Sequence, residues 1–175
     1  MATFAELDSN NIVLRVVKAD DNDVANNGGE YSDQAAEHFK TVLPLSENGV
    51  KWIQCSVNTL GNTHLLGGTP KRKNCPGPGD TYDPVNDGFR QTRKPFESWI
   101  LNPDTFLWEA PVAKPSEENH QVNWNEELQV WYGIKYLENP VDGNDVQPVE
   151  HWNPDTNSWD SYGTYTAASN TITPN

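Results

Sequence analysis

Six of the seven Trp residues bracket three short segments rich in turn chemistry, and this pattern confines much of the chain to short antiparallel strands. Trp99 and Trp108 enclose Asn102-Pro103-Asp104-Thr105, and Trp152 and Trp159 enclose Asn153-Pro154-Asp155-Thr156. Trp124 and Trp131 enclose Asn125-Glu126-Glu127-Leu128. In each case the closing Trp follows the Thr or Leu by three residues. Asn-Pro-Asp-Thr suits a type I turn, with Asn at the first position, Pro fixing φ at the second and Asp tolerated at the third. Trp residues on the two arms are then expected to face each other across the ladder, each pair contributing roughly 0.2–1 kcal/mol over Ala–Ala. With 13 Pro and 12 Gly in 175 residues, long helices are disfavoured. The expected fold is mainly β, a small α+β arrangement of short antiparallel strands and Trp-clasped hairpins, with one short helix near 32–43 and long loops.

A hydrophobic fraction of 35% and a mean hydropathy of −0.77 leave little for a conventional core. Trp and Tyr must supply much of the buried area, and a partner surface could add to a marginal stability. The formal charge is −13, from 25 acidic and 12 basic residues. Such a balance argues against nucleic acid, whose phosphates are bound through Lys and Arg, and against an anionic membrane surface. Lys71-Arg72-Lys73, followed by Arg90, Arg93 and Lys94, is the local exception, by default a solvated face and alternatively a basic rim able to meet an acidic neighbour.

No apolar run approaches the roughly 18–20 residues that span a bilayer. Met1-Ala2-Thr3 leads into a strand pattern with neither a basic nor an apolar leader region, so no secretory signal is expected. Cys55 and Cys75 are accordingly expected as reduced thiols, and two are too few for a structural zinc site.

Along the chain, residues 3–17 read as a hairpin turning at Asp8-Ser9-Asn10-Asn11, followed by a loop from Ala19 to Glu30. Ser32 can cap a helix that Pro44 stops, with Ala35, Ala36, Phe39, Val42 and Leu43 on one apolar face that packs on the hairpin's sheet. Lys51 to Val57 alternates as a strand. Residues 58–79 are loop-like, and a loop of that length in a compact domain calls for a functional or docking reason. Asp83-Pro84 and Asp87-Gly88 mark another turn between short aromatic strands. A boundary near Ser116 separates a β-rich N-terminal domain, 1–115, from a Trp- and Tyr-rich hairpin subdomain, 116–175, ending in a small, polar tail that is disordered or docked on a partner.

Catalytic and metal-binding patterns are not apparent. His38, His64, His120 and His151 are far apart and lack metal-ligand spacing. There is no nucleophile elbow, and no helix pattern follows Gly67-Gly68-Thr69-Pro70-Lys71, as a phosphate loop requires. Carboxylate pairs (Glu117-Glu118, Glu126-Glu127, Asp142 with Asp145) are expected by chance in so acidic a chain. Asp20-Asp21-Asn22-Asp23 offers oxygen ligands without the Gly and distal Glu of an EF-hand loop. The hairpin Trp residues have three open uses: internal packing, protein contact, or stacking on sugar rings.

Several segments carry a resemblance. They are Phe4-Ala5-Glu6-Leu7-Asp8 with Asn11-Ile12-Val13, Trp52-Ile53-Gln54, Leu66-Gly67-Gly68-Thr69-Pro70-Lys71-Arg72-Lys73-Asn74 and Gly79-Asp80-Thr81-Tyr82-Asp83. Lys94-Pro95-Phe96-Glu97-Ser98-Trp99, Leu107-Trp108-Glu109-Ala110-Pro111 and Trp124-Asn125-Glu126 with Trp131 continue it. Over roughly residues 1–131 the chain resembles a family of small proteins of marine tailed phages, cyanobacterial phages above all. The extension holding the Trp152 hairpin departs from the family's short form. The resemblance implies a non-enzymatic virion protein assembled in the host cytoplasm, with no catalytic residue, metal or cofactor. Within that class the expectation is a decoration or cement protein on the outer surface of the head, and the alternative is a tail fibre, fibre adaptor or glycan-binding tip. The expected partners are other virion proteins, the major capsid protein first, with tail proteins, a host-surface glycan and further copies of the chain as alternatives. The candidate interaction residues are Lys71, Arg72, Lys73, Trp99, Trp108, Trp124, Trp131, Trp152 and Trp159.

Overall fold

The computed structural model describes residues 2–29, 32–136 and 146–175. The chain forms two compact units. The first comprises Met1–Pro95 and Leu101–Trp108, the second Phe96–Ile100 and Glu109–Asn175, so the division runs through the first Trp-bracketed hairpin. The sequence places its boundary near Ser116.

In the first unit, β1 (Ala2–Leu7) pairs antiparallel with β2 (Val13–Ala19) on one side and, after α1 (Asp21–Asn26) and α2 (Asp33–Val42), with β3 (Lys51–Cys55) on the other. As the central strand β1 has both edges paired, and with an apolar cluster on each face all six of its residues are buried. Successive side chains leave a strand on opposite faces. Ala2 and Phe4 meet α2, where Phe39 stacks on Phe4 at 4.6 Å and meets Trp52 edge-on at 5.1 Å. Ala5 and Leu7 meet the opposite layer, the hairpin of β6 (Thr81–Asp83) and β7 (Gly88–Arg90), through Tyr82 and Phe89. In the chain between β3 and β6, β4 (Thr59–Leu60) and β5 (Thr63–His64) form a small hairpin within the loop expected over 58–79.

α2 is capped as its sequence requires: the Ser32 hydroxyl accepts from the Gln34 N–H, and Ala35, Ala36 and Phe39 are buried. Val42, the last helical residue, departs from the expected apolar face and is 56% exposed, while Leu43 packs on the core and its carbonyl accepts from Trp52 Nε1. The loop expected from Ala19 to Glu30 is corrected by α1. Asp20 caps it by accepting from the Asn22 N–H, Asp21 and Asp23 lie in its first turn, and Val24 is its buried residue.

β8 (Ile100–Leu101) and β9 (Trp108–Glu109) form a two-stranded ribbon. The second unit is an antiparallel meander of β10 (His120–Asn125), β11 (Val130–Lys135), β12 (Val146–Asn153), β13 (Ser158–Thr166) and β14 (Thr171–Pro174), paired in that order. β14 corrects the expectation of a disordered or docked tail. Its β-branched Thr-Ile-Thr run pairs with β13 around a turn at 167–170, where Asn170 takes a left-handed φ of 51°. β14 can lie so close only because residue 163 is Gly: a Cβ there would stand 2.2 Å from the Thr173 carbonyl oxygen.

The hairpins share one turn. Asn125, Asn102 and Asn153 each use the side-chain oxygen to accept from backbone N–H groups two or three residues ahead, and a left-handed residue follows, Gln129, Phe106 or Asn157. β6–β7 is a fourth copy, with Asp83 accepting from Val85 and Asn86 and with Asp87 left-handed. Two aromatic rings then face across the ladder, Trp124 with Trp131 at 5.1 Å, Trp152 with Trp159 at 5.4 Å and Tyr82 with Phe89 at 5.1 Å. The expected clasp of Trp99 on Trp108 does not form. Their spacing is nine residues rather than seven, so Leu101 occupies the place of the opening aromatic.

Candidate interaction surface

Lys71-Arg72-Lys73 is not the exposed patch that its charge suggests. Arg72 and Lys73 both take left-handed backbone conformations, φ 51° and 63°, which turn the segment back toward the sheet. Lys71 is 6% exposed, and its Nζ donates to Gln54 Oε1 at 2.7 Å while its backbone N–H donates to the buried Thr59 hydroxyl. Arg72 donates to the Gln54 carbonyl at 2.6 Å and pairs with Asp87 at 3.0 Å. Lys73 Nζ lies 4.3 Å from the centre of the Phe106 ring and donates to the Pro103 carbonyl. These three cations hold the first unit together. The next residue, Asn74, has no sequence signal for importance. Its amide group joins Gly61, Phe89 and Thr105 through one acceptor and two donor bonds of 2.8–2.9 Å.

The six Trp residues divide by environment. Trp124 and Trp131 are buried, and Trp99 packs on both at 6.5 and 6.1 Å, so these three form the aromatic core of the second unit. Trp131 Nε1 donates to the Val112 carbonyl and Trp124 Nε1 to Glu126, whose carboxylate also accepts from the Ser98 N–H and hydroxyl. Trp108 donates to the Gln91 carbonyl, with Arg90 and Lys94 over its ring. Trp152 and Trp159 are half-buried. Trp152 lines an open hollow of about 380 Å³ together with Val112, Lys114, Pro115 and Pro154.

The exposed surface that the sequence reading missed is aliphatic. Val57, Leu60, Leu65 and Leu66 are exposed on and beside the β4–β5 hairpin, Leu65 to 60% and Leu66 to 77%. The His64 ring props this tip by accepting from the Leu66 and Gly68 N–H groups. The signal was a Leu-Leu pair between two glycine-rich turns.

The histidines and acids are occupied locally. His38 meets Asp23 at 3.2 Å, and the buried His120 meets Glu150 at 2.7 Å and stacks on Trp159 at 4.4 Å. His151 stacks on Tyr162 at 3.7 Å, and burial lowers its pKa. His120 lies at the start of β10 and is 6% exposed. Asp20 and Asp23 serve helix capping and the His38 contact, while Asp142 and Asp145 lie outside the described residues. Among the described residues, no three His, Cys, Asp or Glu are placed to hold a metal ion, and no helix is long and apolar enough to cross a membrane.

No protein-family model, curated protein or solved structure matches the chain.

Proposed function

We propose that the chain is a non-enzymatic structural protein of a tailed-phage virion, an accessory decoration or cement protein that binds the outer surface of the head. The observation that carries the reading is the aliphatic tip of the first unit. Leu60, Leu65 and Leu66 leave apolar area in water on a hairpin held firmly by Lys71, Asn74 and Cys75, and exposed apolar patches of this kind serve protein contacts. The net charge of −13 supports it by keeping free subunits apart until a partner covers the tip. Docking through the tip replaces docking through Lys71-Arg72-Lys73.

Quantitative mass spectrometry of purified particles tests this, with copies in proportion to the capsid lattice expected and absence from the particle overturning it. Leu65→Glu with Leu66→Glu should leave the fold intact and abolish incorporation. The tail-tip alternative draws on the hollow beside Trp152, where a half-exposed indole could stack on a sugar ring. That reading gains if the protein is present in few copies and Trp152→Ala abolishes adsorption to host cells without changing incorporation.

A further inference from the structure

Cys55 ends β3 and is buried against Tyr82 and Phe89, whereas Cys75, twenty residues later, is partly exposed. The returning chain is pinned beside the end of β3. Cys75 N–H donates to the Thr59 carbonyl at 2.8 Å, Arg72 to the Gln54 carbonyl, and Lys71 to the Gln54 side chain. These bonds lay the segment that ends in Cys75 along the end of β3, where Cys55 sits, and both thiols are free. We propose that Cys55 and Cys75 are a redox-convertible dithiol, which small disulfides of the glutathione class oxidise to an intramolecular bond that closes residues 55–75 into a covalent loop.

The two sulfurs have different parts. Cys75 is the sulfur that solvent reaches, and the neighbouring Cys55 thiol brings its pKa down to about 7, against burial and the nearby Asp80, so an appreciable thiolate fraction exists at neutral pH. The same contact, together with burial, pushes the Cys55 thiol up. Cys75 thiolate attacks one sulfur of oxidised glutathione, forming a mixed disulfide and expelling one glutathione thiolate. Cys55 then gives up its proton and attacks the Cys75 sulfur, forming the protein disulfide and expelling the second glutathione thiolate. The two protein thiols lose two protons and two electrons, and one oxidised glutathione becomes two reduced ones. The loop so closed carries the β4–β5 hairpin with Leu60, Leu65 and Leu66.

The test treats the reduced, full-length protein with excess oxidised glutathione. Expected are loss of both titratable thiols, a mass lower by two hydrogens with no glutathione retained, a monomer on a non-reducing gel, and a melting temperature higher by roughly 5–10 °C. Cys55→Ser should stop at the mixed disulfide, carrying one glutathione on Cys75. Should that variant not fold, limited alkylation of the reduced wild type serves instead, with Cys75 modified at least about tenfold faster than Cys55. Two thiols surviving the treatment, glutathione retained on the wild-type chain, a disulfide-linked dimer, or a lower melting temperature after oxidation would each overturn the proposal.

Discussion

Glu6 is fully buried on the sheet's helix-side face and is the least expected residue of the core. Burial opposes its charge, but hydrogen bonds from Arg15 and from the Ser46 hydroxyl and N–H outweigh burial and hold its pKa below the ordinary value of 4.5. Gly49 makes room for the carboxylate, since a Cβ there would stand 1.9 Å from Glu6 Oε1. A depressed folded pKa contributes stability that is present above the unfolded value and lost as pH falls through the folded one. Glu6→Gln should therefore cost about 1–3 kcal/mol at pH 7. Urea titrations of both proteins should converge as pH falls below 4.5 and Glu6 itself becomes protonated. Lys71 is the second buried charge. Replacing Lys71, Arg72 and Lys73 together with Glu should cost more than about 3 kcal/mol, because a buried carboxylate would stand where the Lys71 cation now donates to Gln54. Far-UV circular dichroism and urea denaturation read this directly.

At the scale of elements, the repeated turn gives a graded prediction. Gln129 and Asn157 both hold left-handed backbone, which Asn tolerates better than Gln. Gln129→Gly should stabilise by about 0.5–1 kcal/mol and Asn157→Gly by less, measured as shifts in urea midpoint. The Trp pairs separate likewise. Trp131→Ala removes a buried indole and should cost about 3–5 kcal/mol, whereas Trp152→Ala, at a half-exposed ring, should cost less than half of that. The hairpins were legible because a turn is local: Asn or Asp, three residues and a left-handed position suffice. The N-terminal hairpin and α2 were legible through alternation and capping. α1 was not, since Asp21-Asn22-Asp23 has poor helix propensity and only Val24 is buried. The basic segment misled because a run of cations carries no mark of the backbone turn that points it inward. Trp99 misled because its partners, Trp124 and Trp131, lie more than twenty residues away in the chain.

For the molecule as a whole, two units with separate cores and a large single-sign charge govern behaviour. The first core rests on Phe4, Phe39, Trp52, Tyr82 and Phe89, the second on Trp99, Trp124 and Trp131. Trp131→Ala should accordingly split thermal unfolding into two steps, the earlier one in the second unit, seen by calorimetry and Trp fluorescence. Self-repulsion of thirteen net negative charges should be screened by salt, so the wild-type melting temperature should rise between low and physiological ionic strength.

The last strand of the meander is held beside β13 on the strength of a missing methyl group at Gly163. A methyl there would lever β14 away and leave a row of β13 amide and carbonyl groups with nothing to bond. Such a row is a template on which a neighbouring chain adds itself strand by strand. Gly163→Ala should thus turn a dispersed protein into one that thickens into fibrils on standing, followed by turbidity and thioflavin fluorescence.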